Sequence, residues 1–200
     1  MPRSRLILFD VGGVLVHFAS ANLVAALQRD MAQAPTAGEL MAYIAASGIG
    51  IGTETPRELH TDMRARFGYR ADYPRWLEVW NGQFQPNQPM LDLLPELRKE
   101  FRLGICSNTN AAHWDFIAQH YGLTHAVDSV TVSHLVGSAK PALEIYAAAL
   151  KAAGHRSDTC LFVDDTMTNI TAADAAGLTT HLFTGVGAFQ AAIKAFRQSR

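Results

Sequence analysis

Cysteine is scarce in this chain: Cys106 and Cys160 are the only two in 200 residues. Two thiols cannot make a disulfide scaffold, and their spacing matches no zinc motif. Each lies in an apolar stretch that reads as a strand, Leu103–Cys106 and Cys160–Val163. Both are therefore expected to be buried and reduced, as in a cytoplasmic setting. Charge is thin as well, at 18% of residues against roughly 25% in ordinary globular domains, so a sizeable core is expected and disorder is not. A net charge of −1 and a pI near 6.7 supply no long-range attraction for a polyanion. Long apolar runs are missing too. Near the N-terminus Leu6–Phe9 is cut by Asp10, too short for a signal core or a membrane span. The expected protein is soluble and stays where it is made, with no nucleic acid and no membrane among its partners.

What is present is 48% hydrophobic sequence, arranged as short apolar runs alternating with helical patterns. That alternation signals a parallel α/β sheet. A first strand at Arg5–Phe9 is followed by about ninety residues in which only helical segments are legible: Ala21–Ala32, Ala37–Ala46, Pro56–Phe67, Tyr73–Phe84 and Gln88–Glu100. Pro56–Phe67 carries the fullest boundary signals, with Thr55 to cap it, Pro56 at its first position, Glu58 to close a capping box and Gly68 beyond its end. Alternation then resumes. Strands are expected at Arg102–Ser107, Asp128–Val132, Thr159–Val163 and Thr179–Phe183. Helices are expected at Ala111–Tyr121 (Gly122 as its C-cap), Pro141–Ala153, Met167–Ala176 and Ala188–Gln198. The predicted fold is a Rossmann-like, doubly wound parallel sheet core, residues 1–16 and 88–200, with an all-helical cap, residues 17–87, inserted after its first strand.

In open parallel sheets ligands bind beyond the carboxyl ends of the strands. The first predicted strand ends in Asp10, the next in Ser107-Asn108-Thr109-Asn110, and a later one in Asp164-Asp165. Singly, Asp10 reads as a loop cap and Asp164-Asp165 as a helix cap. Together, carboxylates at neighbouring strand ends repel unless a cation lies between them. Oxygen-only ligands select a hard cation, Mg2+. Lys140, just before the helix predicted to open at Pro141, opposes the helix dipole, which points to an anion such as phosphate between the ammonium and the helix start.

These residues resemble the four ordered motifs of the haloacid dehalogenase-like (HAD) superfamily: Leu6–Val16 the first, Ile105–Asn110 the second, Lys140-Pro141 the third, and Phe162–Asp165 with Asn169 the fourth. The resemblance covers Arg5 to Phe183 and is greatest to the helical-cap branch. That branch holds the bacterial α-glucose-1-phosphate phosphatase and the N-terminal phosphatase domain of soluble epoxide hydrolase. It implies a Mg2+-dependent phosphatase acting on a small phosphorylated metabolite, such as a sugar phosphate, through an aspartyl-phosphate. It implies Asp10 as the nucleophile, Ser107 and Asn108 as ligands of the phosphoryl oxygens, and Lys140 as their counter-charge. Mg2+ would be held by Asp10, the Gly12 carbonyl and Asp165, with Asp164 acting directly or through water. The pattern departs from the superfamily at Gly12, where most of its phosphatases carry the acid that protonates the leaving oxygen. His17 is the substitute visible in the sequence, with a hinge position as its alternative role. The departure keeps two other activities open, a 2-haloacid dehalogenase-type hydrolase and a non-catalytic phosphometabolite-binding protein.

Three further features read as structural. Trp76 and Trp80, with Tyr73 and Phe84 on the same helical stripe, are expected to pack the cap. Arg57, Arg64, Arg66, Arg70 and Arg75 are expected on a solvated face. Gly48-Ile49-Gly50-Ile51-Gly52 follows no strand and is expected to be a flexible turn of the cap.

Overall fold

The computed structural model describes residues 5–198, so the first four and last two positions of the predicted core lie outside it. Strand β1 (Leu6–Phe9) runs through a tight turn into a short strand, β2 (Val16–Phe18). Four helices follow: α1 (Ser20–Arg29), α2 (Ala37–Ala46), α3 (Pro56–Phe67) and α4 (Tyr73–Asn81), with a 3-10 turn at Gly48–Ile51. Strand β3 (Phe84–Pro86) returns antiparallel to β2, pairing Val16 with Pro86 and Phe18 with Phe84. The chain then passes through α5 (Gln88–Leu91), α6 (Leu94–Glu100), β4 (Arg102–Ser107), α7 (Ala111–His120), α8 (Leu123–Ala126) and β5 (Ser129–Val132). After α9 (Ser133–Val136) and α10 (Leu143–Ala153) it closes with β6 (Cys160–Asp164), α11 (Met167–Ala175), β7 (Thr179–Leu182) and α12 (Val186–Gln198).

Strands β5, β4, β1, β6 and β7 form one sheet in that order, every neighbouring pair parallel. Strand β1 at its centre is apolar throughout and buried at every residue, as expected of a strand covered on both faces. Successive side chains point to opposite faces. Ile7 and Phe9 join one apolar cluster with Leu103, Ile105 and Phe189, while Leu6 and Leu8 join a second with Ile145, Tyr146 and Phe162. Cys106 and Cys160 share that second face, both buried and free. They are separated by β1, and the register staggers them, since Arg102 and Cys160 both stand opposite Leu6.

Between β2 and β3 lies a separate cluster built on Leu27, Leu40, Leu59, Met63, Trp76 and Trp80. Helix α3 has the boundaries its sequence signals demand: Thr55 and Glu58 form the reciprocal capping box, and Gly68 ends the helix at φ +64°. Other expectations are corrected. The insertion is not all-helical, because β2 and β3 form a two-stranded ribbon at its base. Helix α4 stops at Asn81, capped by Gly82, so Phe84 leaves the helical stripe and stacks on Phe18 across the ribbon at 5.0 Å. The helix predicted over 88–100 divides in two, because Pro95 has no N–H to continue a ladder and instead fits the first turn of α6. Helix α7 ends one residue early, and Gly122 (φ +66°) opens α8. Helix α10 starts at Leu143 rather than Pro141, with Ala142 N–H turning back to Ala139 O. Gly48–Ile51 is an ordered 3-10 turn with Ile49 buried, not a flexible one. Among the described residues no helix is long and apolar enough to cross a membrane.

Candidate active site

The carboxyl ends of β1, β4 and β6 lie side by side because those strands are adjacent, and each ends in a polar residue. Asp10 follows β1 and is held there by its own N–H, which donates to Val163 O at 2.8 Å. Its Oδ1 accepts from Val11 N–H at 2.7 Å and pairs with Lys140 Nζ at 2.9 Å. Ser107, the last residue of β4, is buried beside the same carboxylate and acts to lower its pKa. Burial raises the Asp10 pKa, and the neighbouring Asp164 adds to that effect, while Lys140 and Ser107 oppose it.

Lys140 is brought in from the turn ahead of α10, and its side chain is 1% exposed. Nζ lies 2.6 Å from Asp164 Oδ2 as well as 2.9 Å from Asp10 Oδ1. Burial works against its charge, but Asp10 and Asp164 outweigh that and hold its pKa above the ordinary lysine value. The anion inferred beside Lys140 is therefore supplied by the protein's own carboxylates. Its relation to the helix dipole falls away, since α10 begins three residues later. Asn108 fixes the turn: its Oδ1 accepts Lys140 N–H at 2.7 Å and its Nδ2 donates to Lys140 O at 2.8 Å. Both polar atoms of the Asn108 side chain are thus engaged with the backbone of Lys140.

Asp164 is fully buried at the end of β6. Besides Lys140, its carboxylate accepts from Thr166 N–H at 2.8 Å and from Asn169 Nδ2 at 3.1 Å. Asn169 is steadied in turn by Tyr146, whose hydroxyl donates to Asn169 O at 2.9 Å. The N-cap of α11 is Thr166, with no side-chain cap bond, so Asp164 is not the helix cap; its carboxylate fixes the Thr166 turn and holds the lysine. Asp165 is exposed, and its Oδ2 sits against Gly13, where a Cβ would lie 1.9 Å away. Gly13 has φ +74°, so glycine is needed there both for its backbone and for its bareness. Oxygens of Asp10, Asp164 and Asp165 lie within 4.8 Å of one another, close enough to hold a metal ion. These are hard oxygen donors, which fits a hard divalent cation and none of the softer metals.

Gly12 carries no contact that a Cβ would disturb within 4 Å. His17 is on the exposed ribbon, paired with Gln85, and among the described residues it has no hydrogen bond to the strand-end group. The aromatic stripe packs as expected, and it extends further: Tyr73, Trp76 and Trp80 stack in series, and Trp80 stacks on His113 of α7 at 4.9 Å. His113 is locked by Trp80 O on one ring nitrogen and Asn110 on the other, and burial pushes its pKa down to about 4. Arg57 lies over Tyr73 and Arg75 pairs with Glu78 on the solvated face.

A family model for haloacid dehalogenase-like hydrolases matches residues 4–177. The chain is 22% identical to a HAD family enzyme from Bacteroides thetaiotaomicron solved in complex with magnesium and inorganic phosphate, with a TM-score of 0.79 over 88% of this chain and 92% of that one. A predicted HAD-like family hydrolase from Porphyromonas gingivalis is also 22% identical, with a TM-score of 0.82 over 98% of this chain and all of the other (100%). The L-2-haloacid dehalogenase PA0810 is 23% identical, with a TM-score of 0.64 over 88% of this chain and 82% of that one.

Proposed function

The chain belongs to the haloacid dehalogenase-like hydrolases, and from that premise we propose that it is a Mg2+-dependent phosphatase of a small phosphorylated metabolite, with a sugar phosphate as the leading class. One observation carries this. Lys140 is the cation that touches Asp10 and Asp164, and a third carboxylate, Asp165, stands within 4.8 Å of both. One ammonium among three carboxylates leaves two negative charges, which calls for a divalent cation. A dehalogenase of the same fold needs no metal, so the surplus carboxylate favours phosphoryl chemistry.

In this proposal Asp10 is the nucleophile. Its Oδ1 already accepts from Val11 N–H and Lys140, which leaves Oδ2 to form the bond to phosphorus. The phosphorus–oxygen bond to the leaving alcohol breaks as that bond forms, giving an aspartyl-phosphate that water then hydrolyses. Ser107 and Lys140 meet the phosphoryl oxygens, so charge built up at phosphorus faces a hydroxyl and an ammonium already in place. Asn108 contributes by fixing the backbone of Lys140. Asp10, the Gly12 carbonyl and Asp165 would hold Mg2+, with Asp164 steadying Lys140 beside it. When bound, the ion supplies charge screening between carboxylate and phosphate. Gly12 provides no acid for the leaving oxygen, so substrates with good leaving groups, an anomeric phosphate among them, are preferred. The bacterial relative crystallised with magnesium and phosphate is consistent with this chemistry. The test is release of inorganic phosphate from α-glucose 1-phosphate and glucose 6-phosphate, each with Mg2+ and with EDTA. Metal-dependent release favouring the 1-phosphate supports the proposal, whereas halide release from 2-chloropropionate that survives EDTA favours the dehalogenase.

A further inference from the structure

We propose that Ser133 is a positioning residue that couples the seating of the Gly48–Ile51 turn to the loop bearing Ser107 and Asn108. As a role in turnover this rests on the hydrolase proposal above. Ser133 opens α9 at the carboxyl end of β5 and is fully buried. Its Oγ accepts Thr109 N–H at 2.9 Å and has two carbonyl oxygens in reach, Gly50 O at 2.5 Å and Thr109 O at 3.0 Å. A hydroxyl has one proton to give. The shorter contact takes it, so Ser133 donates to Gly50, joining the helical insertion to the sheet. If the turn lifts away, the hydroxyl can rotate to Thr109 O, and no buried donor is left unpaired. One proton with two alternative acceptors makes this join reversible.

The turn is shaped for the contact. Gly52 has φ +77°, and a Cβ there would lie 2.1 Å from His134 O, so only glycine allows this approach. The other edge of the insertion is held differently. Trp80 is 1% exposed, stacks on His113 and points Nε1 at Asn110 Oδ1 at 3.5 Å. That edge rests on stacked rings, whereas the Gly48–Ile51 edge rests on one hydroxyl with an alternative acceptor. Thr109 links the two events. It gives its N–H to Ser133, its carbonyl also takes His134 Nδ1 at 3.2 Å, and it follows directly on Asn108. Seating of the turn decides which acceptor Ser133 uses, and so how tightly Thr109 and the preceding Ser107 and Asn108 are held.

The test is amide hydrogen exchange by mass spectrometry on the full chain and on Ser133→Ala and Gly52→Ala, with p-nitrophenyl phosphate hydrolysis measured alongside. In Ser133→Ala, exchange in 48–53 and 107–110 is expected to rise about five- to tenfold, the scale of one hydrogen bond, with α4 and α7 unchanged. Gly52→Ala, made in the exposed turn, is expected to raise exchange in 48–53 and, by sending the Ser133 proton to Thr109 O, to slow exchange at 107–110 without touching it, and to change kcat more than KM. An even rise across the chain in Ser133→Ala, or exchange at 107–110 that does not slow in Gly52→Ala, would overturn the coupling. Wild-type inactivity toward the ester counts against the phosphatase alone, and the exchange pattern then decides Ser133 by itself.

Discussion

Replacing Lys140 by methionine keeps most of the side chain's bulk and removes the one charge lying between Asp10 and Asp164. Lys140 and Asp164 side chains are 1% and 0% exposed and that of Asp10 is 12% exposed, so solvent screens them little. Breaking a buried pair by removing one partner typically costs about 3–5 kcal/mol. An independent figure comes from the carboxylates left behind. At their 4.8 Å limit of separation two full charges repel by about 3.5 kcal/mol at an effective dielectric of about 20. For a chain of this length each kcal/mol moves the melting temperature by about 2–4 °C, so Lys140→Met is expected to melt about 6–20 °C lower in metal-free buffer at pH 7. The pH dependence has a definite sign. Asp10 has a raised pKa in the fold, so the folded state binds its proton more tightly and stability falls as pH rises from about 3.9, the unfolded value, through the folded value. Without Lys140 that pKa climbs further, and the deficit relative to wild type widens between about pH 4 and pH 7. The raised pKa of Lys140 itself contributes stability to wild type that is complete below about pH 10.4 and lost above it as the folded value is passed. Adding Asp164→Asn to Lys140→Met should recover at least half the loss at neutral pH. Melting within about 2 °C of wild type, or a deficit that does not change with pH, would refute lysine as the neutralising group.

Gly12→Asp should fold as wild type does, since a Cβ at position 12 meets open space. A general acid is worth about 10²–10⁴-fold, so hydrolysis of an ester with a poor leaving group, such as glycerol 2-phosphate, should rise at least about tenfold while p-nitrophenyl phosphate changes little; equal effects on both would contradict the role given to Gly12. Gly13→Ala places a Cβ 1.9 Å from Asp165 Oδ2 at φ +74°, costing about 1–2 kcal/mol for the backbone alone and weakening the gain in melting temperature that Mg2+ gives by binding the folded state. Trp80→Ala should lose about 3–5 kcal/mol in urea unfolding, because Trp80 is 1% exposed and joins α4 to α7; a loss below about 1 kcal/mol would show that the ring stack contributes little.

Much of the core is legible along the chain. Strand β1 reads as a strand because it is a short apolar run bounded by Asp10, and β4 and β6 read likewise. Asp10, Ser107, Asp164 and Asp165 are found for the same reason, as polar residues where apolar runs stop. Lys140 is legible as an ion that needs a counter-charge, but which counter-charge depends on how β1 and β6 pair, and local sequence does not carry that. The ribbon of β2 and β3 is hidden because each strand has three residues, one pairing involves Pro86, and Phe84 continues the i, i+4 spacing of Trp76 and Trp80 past the end of α4. Gly48–Gly52 looks flexible because glycine loses most freedom on ordering; its order comes from Ser133 and His134, more than eighty residues away. Ser133 and Asn169 O act through partners distant in sequence, and Ser133 carries no local signal at all.

The proposed chemistry turns Asp10 into an acyl phosphate during turnover. Rapid acid quench during turnover of α-glucose 1-phosphate with Mg2+, followed by borohydride reduction, converts an aspartyl-phosphate to homoserine, which peptide mass spectrometry locates. Homoserine at position 10 in wild type, absent with EDTA and absent from Asp10→Asn, is the predicted result. Phosphate release that continues in Asp10→Asn, or turnover that leaves Asp10 unreduced, would contradict it.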